Sequence, residues 1–336
     1  MPLIKTLFLS VLFFSFSSVF GQQAAINFLD SGMKSSLRGL SVVDDNIIWA
    51  SGSNGTVARS TNGGKKFIWQ SIKGYEQRDF RDIEAFDSNT AVIMAVAEPA
   101  VILKTRNGGQ SWYKVFEDTS KGMFLDAMDF DDDGINGIVV GDPLPNQHDL
   151  YFAMTNNKGE SWRIVTGNSN KFQTLEGEAL FASSGTNLKY PTAIITGGTN
   201  SRLFFNGIHK LPIIQGKEST GANSIAINEK GTIAVIVGGD FSNDASAIDN
   251  CVLVKLQYHP KFTIPQTPPH GYRSCVIFVS KNRLIACGTT GIDISADGGL
   301  NWNLISNESF HVVQKAKKGN SIYLAGKNGR IARLDE

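Results

Sequence analysis

The sequence predicts an all-β fold, a closed ring of seven four-stranded antiparallel blades, on three observations. A short turn phrase recurs four times, a β-rich run ending in a small residue recurs seven times, and the seven runs are spaced almost evenly. The run ends fall at Gly52, Ala97, Gly141, Gly197, Gly238, Gly288 and Gly326, separated by 45, 44, 56, 41, 50 and 38 residues, about 45.7 on average. A period of this length holding four strands is the signature of a propeller, and no helical periodicity of useful length interrupts it.

The turn phrase carries Ser60, Asn62, Gly64 and Phe67, then Thr105, Asn107, Gly109 and Trp112, then Thr155, Asn157, Gly159 and Trp162, and finally Ser295, Asp297, Gly299 and Trp302. Its chemistry is that of a hairpin. The Asn or Asp side chain bonds amides of its own turn, glycine takes the positive φ that other residues resist, and the aromatic opens the next strand. In the first unit the strands are expected over 37–43, 47–51, 56–60 and 66–72, with Asp44-Asp45-Asn46, Ser53-Asn54-Gly55 and Asn62-Gly63-Gly64 as turns. The last unit offers only three, over 310–316, 321–325 and 330–334. Residues 25–30 have the character of the missing fourth, whose pairing there would remove a lone edge.

Composition agrees with one large folded body. The chain has 336 residues, 41% of them hydrophobic, 34 glycines and a formal charge of +1. That balance excludes a disordered tail and a polytopic membrane protein, and supplies no net field to hold nucleic acid. Residues 1–21 read as an export signal, with Lys5 before an apolar run from Leu7 to Phe16 and the small Gly21 ahead of Gln22 and Gln23. The mature chain would then be a single propeller domain over 22–336, periplasmic or secreted and not spanning a membrane. Cys251, Cys275 and Cys287 show no metal spacing. They are expected as buried small hydrophobes, with a bridge between Cys275 and Cys287 as the alternative.

The turn phrase resembles the Asp-box (BNR repeat) of sialidase-like propellers. The stretch from Phe80-Arg81-Asp82-Ile83 through Glu98-Pro99 to Gly108-Gly109-Gln110-Ser111-Trp112 resembles the repeat of the photosystem II stability/assembly factor-like propellers. The resemblance covers nearly the whole mature chain and is weakest over 165–275. It implies a non-enzymatic assembly factor that binds protein, although nothing in the chain itself points to photosynthesis.

Loops entering the innermost strands and loops joining second to third strands should share one face around the channel mouth. There the repeat alignment gathers Arg38, Arg81, Asp82, Glu98, Asp126, Asp142, Glu178, Arg273 and His311 as ligand-binding candidates, with Asn223 and Ser274 at matching heights. Arginines in such a ring suit a carboxylate, phosphate or peptide terminus, and carboxylates suit a polar or carbohydrate ligand. A sialidase-like glycosidase is the competing reading. It would need an arginine triad and an activated tyrosine, and strand alternation puts Tyr272 on the side away from Arg273. Neither cofactor nor metal is expected: there is no dinucleotide fingerprint, and Asp129, Asp131, Asp133 and Gly134 open like a calcium loop but lack its closing carboxylates. Longer loops over 142–150 and 258–272 are further candidates for specificity.

Overall fold

The computed structural model describes residues 25–165, 171–191 and 193–335; the export segment expected at residues 1–21 lies outside them. The described chain forms a seven-bladed β-propeller of four-stranded antiparallel blades, with one three-residue 3-10 turn, Lys327–Gly329, as its helical element. Blade 1 is built from Leu37–Val42, Ile48–Gly52, Thr56–Ser60 and Ile68–Ser71, and blade 2 from Phe80–Ala85, Ala91–Ala95, Ala100–Thr105 and Tyr113–Asp118. Blades 3, 5 and 6 follow the same order, starting from the inner strands Leu125–Phe130, Thr220–Ile227 and Cys275–Phe278. Blade 7 takes Val312–Lys315, Ile322–Ala325 and Ile331–Asp335 from the C-terminal end, and Ala25–Asp30 lies antiparallel to its last strand as the outermost member.

The four repeated turns share one hydrogen-bond pattern. The amides of Gly64, Gly109, Gly159 and Gly299 donate to the hydroxyls of Ser60, Thr105, Thr155 and Ser295 at 2.9–3.1 Å. The Asn or Asp side chain accepts the amide four residues ahead, as Asn107 does from Ser111 at 3.0 Å. The aromatics that follow pack between blades: Trp112 meets the wholly buried Trp49 edge-on at 6.3 Å, and Trp302 is itself buried.

Apolar clusters fill the seams between neighbouring blades rather than one central core, so the axis is left for polar groups. Blades 4 and 5 share a seam that holds Ile195 and Leu203 with Ile225 and Ile236, and they also meet through backbone, where Gly197 stands opposite Gly221. Cys251, Cys275 and Cys287 are buried free thiols, with Cys275 and Cys287 directly opposite each other across blade 6. The calcium-like run is a turn, closed by the Asp131 carboxylate accepting the amides of Ile135 and Asn136.

Candidate functional site

The inner strands carry a device that the repeat spacing hides. In blade 1, Leu37 pairs with Gly52 and Gly39 with Ser51, so Arg38 is an extra residue with no partner, a β-bulge. The same slip isolates Arg81 in blade 2, Asp126 in blade 3 and Asn223 in blade 5. In blade 6 the amide of Ser274 bonds Cys287, which already faces Cys275, and in blade 7 the amide of His311 bonds Ala325, which already faces Val312. Each bulge bends its strand and re-aims one side chain, and those of Arg38, Arg81, Asn223, Ser274 and His311 line the mouth of the channel.

A small residue on the second strand is the sequence footprint of each of these six bulges. A Cβ on Gly52, Gly141, Gly238 or Gly288 would overlap the carbonyl oxygen of Ser36, Phe124, Gly221 or Tyr272, in each case the residue two before the bulge. Blade 2 has Ala95 in this place, two residues before the Ala97 that the sequence spacing selects.

Blade 4 has an insertion where the other blades have a bulge. Its inner strand is broken between Glu178–Ala179 and Leu188–Lys189, so that eight residues, Leu180 to Asn187, face only Ile195 and Thr196 of the second strand. This loop crosses the axis and is tied to other blades. Arg38 donates to the Ser183 carbonyl at 3.1 Å, the Ser183 hydroxyl to Asn223 at 2.7 Å, and the Ser184 hydroxyl to the Ser274 carbonyl at 2.7 Å. Thr186 joins Ser224, and the Leu180 amide donates to Asp142 at 2.9 Å. Gly185 packs on the Asp82 carboxylate with φ near +66°, where any side chain would collide. The channel is therefore plugged from within. Its mouth becomes a floored cup of about 530 Å³.

The cup has two unlike walls. On one side are Arg38 and Arg81. Arg81 pairs with Asp79 at 2.8 Å, whereas Arg38 has no ion-pair partner among the described residues. Burial and the neighbouring Arg81 charge pull the Arg38 guanidinium below its usual range, the expected cost of crowding two like charges at one wall. His311 is pushed down to about 3 by burial and by Arg38, Lys327 and Arg81, so it is a neutral imidazole, 3.3 Å from the Ser36 hydroxyl. The other wall is aromatic: Phe181 meets Phe241 edge-on at 5.8 Å, and Phe241 meets Tyr272 at 6.3 Å. Phe241 is 48% exposed.

Behind Arg81 lie two carboxylates. Asp126 is wholly buried, and neither oxygen has a hydrogen-bond donor in bonding geometry, although the amides of Asp142 and Ala182 lie close enough to favour its ionisation. Burial, then the charge of Asp142, holds Asp126 well above the carboxylate range. Burial pushes Asp142 up to about 6.

Of the nine residues singled out from sequence, Arg38, Arg81, Asp142 and His311 line the cup, and Asp126 lies behind it. Four are elsewhere. Arg273 precedes its bulge, in the place taken by Leu37, Phe80, Leu125 and Phe310 in other blades, and so points into the seam. There it is wholly buried and pairs with Asp293 at 2.5 Å. Tyr272 consequently lines the cup, the reverse of the expected orientation, and its hydroxyl donates to Asn223 at 2.8 Å. Glu178 is buried against Arg202 at 2.5 Å. Asp82 is buried under the plug, accepting the amides of Ile83 and Met128 at 2.8 Å. Glu98 is exposed, bonded to the amide of Gly122 at 2.8 Å. Of the two longer loops, the first contributes Asp142 to the lining and the second Tyr272, while the plug and Phe241 carried no motif to announce them.

Neither a protein-family model nor a curated protein sequence matches the chain. Among solved structures it is similar to "YCF48 bound to D1 peptide", with a TM-score of 0.64 and 12% identity over 95% of this chain and 96% of that one. It is also similar to YCF48 from Cyanidioschyzon merolae, with a TM-score of 0.57 and 15% identity over 92% and 98%. The chain thus shares the propeller fold of the photosystem II assembly factor YCF48 along nearly its whole length.

Proposed function

We propose that this chain is a non-catalytic binding factor that grips a polypeptide partner at the cup. Arg38 and Arg81 would take a carboxylate or other anionic group of the partner, and Phe241 would take an adjoining apolar side chain. The observation that carries this reading is the pairing of Arg38, which has no counter-ion among the described residues, with the half-exposed Phe241 across one floored cavity. Buried guanidinium groups bind carboxylates by paired, charge-assisted hydrogen bonds, and aromatic and arginine anchors dominate protein interfaces. The similar YCF48 structure is one bound to a D1 peptide, which supports the same kind of ligand here.

The apolar run behind Lys5 supports export, and the partner would then be an envelope or secreted protein. The test is capture of partners from envelope extract by the wild type, Arg38→Ala and Arg81→Ala. Loss of the same protein from both variants is expected; an identical partner list from all three would defeat the proposal.

One observation favours a second reading, a sialidase-like hydrolase: two carboxylates, Asp126 and Asp142, converge behind Arg81. Against it, burial pushes the Tyr272 phenol up to about 12, and its hydrogen bond goes to an amide that cannot take its proton. Hydrolysis of an aryl sialoside by wild type, lost in Asp142→Asn, would establish the second reading in place of the first.

A further inference from the structure

The insertion that floors the cup also roofs a second chamber. At the opposite end of the channel, blades 4 to 7 enclose a cavity of about 490 Å³ with Thr186 of the plug in its lining, within the roughly 300–1,000 Å³ of small-ligand sites. Its charge is one-sided. Lys189, Lys230, Lys281, Lys315 and Lys317 line it, with Glu229 as the one carboxylate in the lining.

Two of these lysines are already answered, because Lys189 lies 3.8 Å from Asp129 and Lys317 pairs with Glu84. Lys315 donates to the Val279 carbonyl at 2.9 Å, and no carboxylate among the described residues pairs with it, with Lys230 or with Lys281. Set against Glu229, these three leave an excess of about two positive charges in a concave site, where low-dielectric walls concentrate counter-ions. The half-buried Ile277 and Phe278 add an apolar flank.

We propose that this chamber is a second binding site, separate from the cup, for a small organic dianion with a flat apolar body. The lysines hold the charged head and the flank of Ile277 and Phe278 takes the body. Leu180 to Ser183 face the cup while Thr186 faces the chamber, so a ligand on one side of the plug touches none of the residues on the other.

Phenyl phosphate is a suitable probe, titrated calorimetrically at pH 8, where a phosphate monoester with a second pKa near 6 is dianionic. Saturable one-to-one binding is expected to the wild type. It should weaken about tenfold in Lys315→Gln and in the solvent-facing Lys281→Gln, diminish with added salt, and persist unchanged in Arg81→Ala. Inorganic phosphate, a head without a body, and benzyl alcohol, a body without a head, should each bind more weakly. Thermal melts of both lysine variants establish that they are folded. No saturable binding by about 1 mM, or binding lost in Arg81→Ala and kept in both lysine variants, would overturn the proposal; inorganic phosphate binding as tightly as phenyl phosphate would overturn the apolar flank.

Discussion

Replacing Asp142 by asparagine should make the protein more stable at neutral pH, although it removes a charged residue from the candidate site. Asp142 has its pKa pushed from 3.8 up to about 6 by burial. A carboxyl whose folded pKa is raised binds more protons in the folded than in the unfolded state between those two values. Its favourable contribution is complete below about pH 4 and is lost as pH rises through about 6. At 1.36 kcal/mol per unit, the loss by pH 7.5 is about 3 kcal/mol, and it belongs to the coupled pair with Asp126 rather than to one residue. Asparagine keeps an oxygen to accept the Leu180 amide, which Asp142 now accepts at 2.9 Å, so the plug anchor survives. Urea unfolding of wild type and Asp142→Asn between pH 4 and pH 8 measures this directly. The curves should lie close together at pH 4 and separate by about 3 kcal/mol in favour of the variant at pH 7.5. A variant less stable than wild type at pH 7.5, or a difference that does not change with pH, would refute the reasoning.

Other consequences follow from the packing. Asp293→Asn leaves the wholly buried Arg273 without its counter-charge, and removing one member of a buried pair costs about 3–5 kcal/mol, readable as a lower melting temperature. Gly238→Ala drives a Cβ into the carbonyl of Gly221 at the blade 5 bulge, with an expected loss of about 1–3 kcal/mol in urea unfolding. Deleting residues 25–30 strips the outer strand of blade 7, the stack of Phe28 on Phe310 at 6.2 Å and the hydrogen bond from Trp69 to Asp30 at 3.0 Å. The truncated chain should lose its single cooperative unfolding transition.

The ring and its period were legible because each blade repeats its own local chemistry: the same turn hydrogen bonds, the same small residue, the same alternation. The site was legible only in part, and the reason is the bulge. Alternation correctly puts Tyr272 and Arg273 on opposite faces, but a single unpaired residue, Ser274, decides which of them meets the channel. Arg273 occupies a position that is Leu37 or Phe310 elsewhere, and nothing local betrays that Asp293, on the third strand, waits to neutralise it. Aligning the blades on Gly52, Ala95, Gly141, Gly238, Gly288 and Gly326 would have located every bulge outside blade 4. The plug was concealed differently. Leu180 to Asn187 carry no motif, and what fixes them across the channel is bonding to residues far away in sequence on other blades, such as Asn223, Ser224 and Ser274.

The central claim is that a polypeptide partner seats in the floored cup, between Arg38 and Arg81 on one wall and Phe241 on the other. Photo-crosslinking tests it most directly, with p-benzoylphenylalanine placed at Phe241 on the rim of the cup or at Lys281 at the far end of the channel. Crosslinks to one partner from position 241, absent from position 281 and suppressed when Arg81→Ala is introduced, are the predicted result. Crosslinks to that partner from position 281 alone would contradict it.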